Sequence, residues 1–151
     1  MSTWEEFAAA APELAGFGAG RFESGVAYLG TLTADGGPRV HPVTPIIGFG
    51  RLFLFMEPTS PKGYDLKRSG RYAIHSSVGN SEGDGGEFFV SGHAHFVTDP
   101  SLRALAVQAA RYKPKDRYIL FELGVDAAAS TIYEDGYPLR VRWAAVPAVN
   151  N

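Results

Sequence analysis

Eighteen glycines and ten prolines are spread along 151 residues, and they cut the apolar sequence into runs of strand length. Glycine relaxes the backbone, whereas proline fixes φ and removes a donor, so together they are the strongest punctuation a chain carries. Between them lie 25–33 (GVAYLGTLT), 38–47, 51–56 (RLFLFM), 71–77, 87–97, 118–123, 129–133 and 140–144, rich in aromatic and β-branched residues. Ala34-Asp35-Gly36-Gly37 reads as a hairpin turn, and Pro42 and Pro45 mark an edge or a bulge in the strand that follows. Gly48–Gly50 turns the chain again, and 78–86 (VGNSEGDGG) is the clearest flexible loop. The pattern predicts a mainly β fold with short helices and about seven strands, arranged as a small barrel or sandwich.

Helices are expected in three places. Ser2 or Thr3 can cap a first segment in which Trp4, Phe7, Ala8 and Ala11 recur at helical spacing. Pro12 suits the first turn of a second piece running through Leu14 and Phe17, which Gly16, Gly18 and Gly20 should break. Ser60-Pro61 and Asp99-Pro100 each read as an N-cap followed by proline at the first helical position, and Leu102, Leu105, Ala106 and Ala109 line one face of the latter helix. One domain over 1–151 is expected, with 1–24 as a helical segment against the barrel.

Composition excludes several chemistries. The chain has no cysteine, which rules out disulfides, thiolate metal sites, iron–sulfur clusters and cysteine nucleophiles. Fourteen basic against sixteen acidic residues give a formal charge of −2, which argues against nucleic-acid or anionic-membrane partners. No apolar run approaches the roughly 20 residues of a membrane span. The start, with Glu5 and Glu6, lacks a signal peptide's basic residues. A cytoplasmic protein with neither a membrane nor a nucleic-acid partner is the expectation.

Two segments carry candidate chemistry. In Thr59-Ser60-Pro61-Lys62-Gly63, a helix N-terminus offers N–H groups from Lys62 and Gly63, a hydroxyl and an ammonium, and glycine at 63 allows close approach; this suits a phosphate. The plain alternative is an ordinary Ser-Pro cap with a solvated lysine. In Pro38-Arg39-Val40-His41-Pro42-Val43, strand alternation puts Arg39, His41 and Val43 on one face. Arginine grips an anion there and histidine hydrogen-bonds a polar ring edge, or both simply line a wet edge strand. His93 and His95 are spaced like a two-histidine metal arm, but no acid follows at close ligand spacing; a solvated face is the better reading, with no metal assigned. His75 reads as a structural histidine. No Gly-x-Ser-x-Gly is present, and the basic groups Lys62/Lys67/Arg68/Arg71 and Arg111/Lys113/Lys115/Arg117 read as solvated faces.

Taken in order, YLGTLTADGGPRVHPV, RLFLFMEPTSPKGYDL, RYAIHS and EFFVSGHAHFV resemble the pyridoxamine-phosphate-oxidase-like family of flavin mononucleotide (FMN)-binding split β-barrels. The resemblance implies a homodimer with flavin at the subunit interface. It implies that Arg39, Ser60 and Lys62 hold the flavin phosphate. Val40, His41 and Val43 would lie along the isoalloxazine ring, and Met56 and Thr59 near the ring and ribityl chain. Glu87 stands where the biosynthetic oxidases carry a ring-contacting glutamine. Their C-terminal Arg-Leu-His-x-Arg signature is absent, the chain running Arg140-Val141-Arg142-Trp143 instead, so vitamin B6 oxidation is not expected. Trp143 either covers the partner's flavin or closes the core. Phe88, Phe89, Phe96, Tyr133 and Tyr137 are expected to supply aromatic surface for a dimer.

The resulting expectation is an FMN oxidoreductase passing hydride or electrons between a reduced nicotinamide and an unknown small molecule, with no assignable catalytic acid or base. The alternative is a non-catalytic carrier or sensor holding flavin, deazaflavin or haem. Lys67, Arg68 and Arg71 would meet a deazaflavin's acidic tail, and His41, His75 or His93 would ligate haem.

Overall fold

Apolar side chains at alternate positions let each strand bury one face, and here those faces close around two cores. The computed structural model describes residues 2–147; Met1 and 148–151, which the single-domain expectation takes in, lie outside them. In chain order the elements are α1 (Trp4–Ala10), α2 (Pro12–Glu23), β1 (Ala27–Leu32), β2 (Pro38–Val43), β3 (Ile46–Gly48), β4 (Arg51–Met56), α3 (Pro61–Ser69), β5 (Arg71–Ser76), β6 (Glu87–Phe96), α4 (Pro100–Ala109), β7 (Ile119–Leu123), β8 (Ala127–Glu134) and β9 (Tyr137–Ala144). The strand pairings are antiparallel. One sheet runs β2-β1-β5-β6-β8-β9 and the other β6-β7-β4-β3.

Strand β6 belongs to both sheets. Residues 87–91 pair with β8 and residues 94–96 with β7. The exchange occurs at Gly92, where a Cβ would lie 2.1 Å from the Gly124 carbonyl oxygen; only glycine lets the two backbones pass this closely. Strand β4 is the wall between the cores. Leu52, Leu54 and Met56 face the larger one, with Leu29, Ile74, Phe88 and Phe121. Phe53 and Phe55 face the smaller one, with Ile46, Leu120 and Ala106 of α4.

The N-terminal helices cover the larger core. Thr3 and Glu6 form a reciprocal capping box at the start of α1, satisfying two otherwise orphaned donors. Trp4 and Phe22 set their rings nearly perpendicular to Phe88, at 6.2 and 5.2 Å between centroids, an arrangement favoured by the ring quadrupoles. Phe88 is therefore core, not dimer surface as its sequence position suggested.

Three local expectations are corrected. Helix α2 continues through Gly16, Gly18 and Gly20 to Glu23. Each interior glycine costs about 1 kcal/mol relative to alanine, while burying Leu14 and Phe22 returns about 1.5–3 kcal/mol apiece. The expected strand 38–47 divides into β2 and β3 at Thr44-Pro45, where the chain leaves one sheet for the other. The last two strands are longer than expected and form a hairpin around Asp135 and Gly136, whose φ values of 51° and 80° suit the two-residue turn that Asp-Gly favours.

Gly16 and Gly18 separate helix propensity from packing. A Cβ at Gly16 meets nothing within 4 Å, whereas one at Gly18 would come within 2.2 Å of the Phe88 ring. Gly16→Ala should raise stability by about 1 kcal/mol. Gly18→Ala should lower it by about 1–3 kcal/mol through overpacking. Chemical denaturation of the two variants checks the opposite signs.

Candidate functional site

A buried carboxylate organises the surface where β1, β2 and α3 meet. Inward-facing Thr31 on β1 lies directly opposite Arg39 on β2, and both reach Asp65, on the second turn of α3. Its side chain is only 2% exposed. It accepts hydrogen bonds from Thr31 Oγ1 at 2.7 Å, Arg39 Nε at 2.8 Å and Arg68 Nη1 at 3.3 Å. Burial favours the neutral acid, but these hydrogen bonds, with the charge of Arg39, outweigh it and hold the carboxyl below its ordinary pKa. Because Asp65 occupies Nε, the two outer nitrogens of Arg39 have no partner among the described residues.

The start of α3 stands beside this pair. Ser60 is the N-cap residue but makes no side-chain cap; its hydroxyl accepts from Lys62 Nζ at 2.8 Å instead. Burial lowers the pKa of the Lys62 ammonium. Gly63 N–H donates to the Ser60 carbonyl at 3.0 Å, so it is not the free donor expected. Gly63 faces inward: a Cβ there would lie 3.2 Å from Ile119 Cδ1 and 3.3 Å from Met56 Sδ, which makes its smallness a packing requirement rather than an opening for ligand.

His41 is the next inward residue of β2 after Arg39. Its Nε2 is buried without a hydrogen-bond partner. Burial, then the charges of Lys62 and Arg39, push its pKa down against a weaker opposing pull from Asp65. The imidazole is neutral at neutral pH. Three cations around one carboxylate leave excess positive charge, and two guanidinium nitrogens, an ammonium, a hydroxyl and a neutral imidazole are gathered there. That set suits a phosphate attached to a polar organic group.

No family model matches the chain, and no curated protein does. Solved structures do. A haem-binding protein from Mycobacterium smegmatis superimposes with a TM-score of 0.64 at 20% identity, over 85% of this chain and 57% of that one. A protein related to general stress protein 26, of the pyridoxinephosphate oxidase family, from Clostridium acetobutylicum gives 0.60 at 13% identity, over 91% and 95%. A NimC/NimA family protein from the same organism gives 0.59 at 19% identity, over 82% and 88%. The fold is the split barrel. The chain spans little more than half the length of the Mycobacterium smegmatis protein.

Of the residues singled out in sequence, the split barrel brings Arg39, His41, Ser60 and Lys62 together. Val40 and Thr59 are exposed beside them. Val43 and Met56 lie in the larger core, so their side chains back the site instead of facing a ligand. Glu87 is on β6, three strand spacings or about 14 Å from β2, where it accepts from Tyr133 Oη at 3.0 Å. Trp143, on β9, packs on Phe7 at 5.0 Å between ring centroids and closes the core. Within one chain neither residue joins the cluster.

The remaining basic residues and histidines disperse. Lys67 sits over the Phe96 ring at 4.5 Å, Arg68 binds Asp65, and Arg71 lies on the outer face of β5, so these three do not gather as a second anion grip. Arg111 and Arg117 pair with Glu23 and Glu57. His75 is exposed, with Nδ1 2.6 Å from the Ser76 carbonyl oxygen, so it is hydrogen-bonded within the fold. Among the described residues, no group of three or more metal-binding side chains gathers, and no helix is long and apolar enough to cross a membrane.

Asp65 and Thr31 were missed by the sequence reading. The available signal was an aspartate on the helix face shared by Leu66; its partner on β1 is visible only once β1 and α3 are packed. Asp65→Asn should destabilise the protein by about 3 kcal/mol, the scale of breaking a buried charge network. A carboxyl with a depressed folded pKa contributes fully above its ordinary value, 3.8, and loses that contribution as pH falls through the folded pKa. Melting temperature against pH should therefore drop less steeply in acid for Asp65→Asn than for the wild type.

Proposed function

We propose that the chain is a cytoplasmic, single-domain, FMN-binding oxidoreductase that works as a homodimer and passes hydride or electrons from a reduced nicotinamide to a small-molecule acceptor. The observation that carries this reading is the cluster of Arg39, Ser60 and Lys62, held in place by Asp65 and open at the edge of the sheet. Its donors fit a phosphate. The orphaned Nε2 of His41 fits a polar ring edge, since an unpartnered buried nitrogen costs about 1–3 kcal/mol until something hydrogen-bonds it. Arg39 and Lys62 would hold the phosphate, Ser60 would donate its hydroxyl, and neutral His41 would hydrogen-bond the cofactor without adding charge.

Bound flavin supplies the two-electron chemistry, and the protein positions and electrostatically tunes it. The chain's own task is to bind and orient. The likeness to a pyridoxinephosphate oxidase family structure supports flavin. The haem-binding neighbour supports a second reading, a haem carrier or sensor, and one spectrum separates the two by flavin bands or a Soret band.

Purified protein supplied with FMN and then freed of excess should retain one flavin per chain. Charged hydrogen bonds contribute about 1.5–3 kcal/mol each. The double variant Arg39→Ala/Lys62→Ala should therefore bind FMN about 10²–10⁴-fold more weakly. Riboflavin, which lacks the phosphate, should bind the wild type weakly and the double variant no worse. Equal FMN affinity in the two proteins would remove the phosphate assignment.

The homodimer reading rests on exposed apolar side chains on the strands at the two edges of the larger sheet. Val40 on β2 is 67% exposed and Tyr137 on β9 is 73% exposed, with Tyr28, Leu139 and Val141 also open. Sedimentation at micromolar concentration should give two chains per particle. Val40→Asp should shift the particle towards one chain and release flavin in parallel; a monomeric wild type that still holds flavin would overturn the interface placement.

A further inference from the structure

On the outer face of the larger sheet, the face opposite to the one the Arg39 side chain occupies, lies a cavity of about 420 Å³. Its floor is made by small residues on three adjacent strands: Gly30 of β1 faces Ala73 of β5, which faces Ser91 of β6. Side chains of ordinary size at these positions would fill it. At one end Arg71 and His93 stand directly opposite each other across β5 and β6. The Arg71 side chain forms no ion pair and no hydrogen bond among the described residues.

His93 is oriented from behind. Its Nδ1 is 2.9 Å from Asp126 Oδ2. Asp126 is itself fixed, because the backbone of 124–126 is fastened to β6: Gly124 N–H donates to the His93 carbonyl and Asp126 N–H to the Ser91 carbonyl, both at 2.9 Å. The Tyr72 hydroxyl adds a buried bond to the Gly124 carbonyl at 2.7 Å. A carboxylate on Nδ1 selects the tautomer whose proton sits there, which leaves Nε2 as an acceptor. The cavity thus presents a free guanidinium fork, an oriented imidazole acceptor and the Ser91 hydroxyl over a flat floor of small residues.

We propose that this cavity binds a small oxyanion carrying a hydroxyl, a hydroxy acid or a phosphate monoester. Arg71 takes two anionic oxygens side by side, the pairing its planar fork is shaped for. The hydroxyl donates to His93 Nε2, which places it where Asp126, engaged by the imidazole, does not meet the anionic end. Binding there needs no flavin and uses none of Arg39, His41, Ser60 and Lys62; of the network around Asp65, only Thr31 also lines the cavity.

Glycolate and acetate, which differ by one hydroxyl, are the probes. Each is titrated into the ¹⁵N-labelled protein while the amides of Gly30, Ala73, Ser91 and His93 are followed separately from those of Ser60, Lys62 and Gly63. Glycolate should shift the first group saturably and at least tenfold more tightly than acetate. Inorganic phosphate should shift the same amides. Arg71→Gln, an exposed substitution whose folding the spectrum itself reports, should abolish the shifts of the first group and leave any in the second. His93→Phe should keep anion binding but erase the preference for glycolate. Shifts confined to Ser60 and Lys62, shifts that do not saturate, or shifts that survive Arg71→Gln would each overturn the site.

Discussion

One strand has to serve two sheets, and the rest of the molecule follows from how it does so. β6 gives its first half to β5 and β8 and its last residues to β7, and the exchange depends on Gly92 passing within a distance of Gly124 that no side chain permits. Because the strand bends away there, β8 and β9 extend one sheet while β7, β4 and β3 curl into the other, and the barrel stays split. The same crossing fixes 124–126 against β6, so the position of Asp126 is a consequence of the fold and not of a flexible loop.

The Arg39 cluster depends on a different economy of charge. A carboxylate almost fully removed from water is costly unless its oxygens are satisfied. Asp65 meets that condition by drawing donors from β1, β2 and its own helix. In doing so it spends Nε of Arg39 and leaves the outer nitrogens free, so a group that contributes to stability also sets which face of the arginine a ligand meets. His41 adds to this by its low tendency to take up a proton. Burial, then the charges of Lys62 and Arg39, push it towards its neutral form. The imidazole therefore stays uncharged beside a cluster that is already positive.

Much of this was legible in the chain and some was not, for identifiable reasons. Strand positions followed from the apolar runs that glycine and proline punctuate, and the α3 start followed from Ser60-Pro61, because both are local signals. The pairing of Arg39 with the helix start was legible through motif order. Helix α2 was misjudged because propensity treats Gly18 as a breaker, whereas its lack of a side chain is what admits the Phe88 ring. Phe88 itself was read as surface because a strand with aromatics at successive positions, Phe88 and Phe89, gives no sign of which points inward. Asp65 and Asp126 escaped because their partners are 34 and 33 residues away in sequence, and no spacing rule joins them before the sheets are assembled.

The free edges of the larger sheet bear on how its apolar surface is covered. Among the described residues β2 is paired on one side only, to β1 along its whole length, and it contains Pro38 and Pro42. A proline inside a paired strand is tolerated where its nitrogen points away from the partner. Positions 38, 40 and 42 share that orientation, so the outer edge of β2 offers a single backbone donor, at Val40. A second chain adding there as a further strand would find almost no ladder to join, which is a common protection of exposed edges. Pro138 has a similar effect near the start of β9, the opposite edge. In the homodimer proposed above, the exposed side chains of Val40 and Tyr28 would therefore be covered face-on, by packing of side chains across the sheet, and not by extending it.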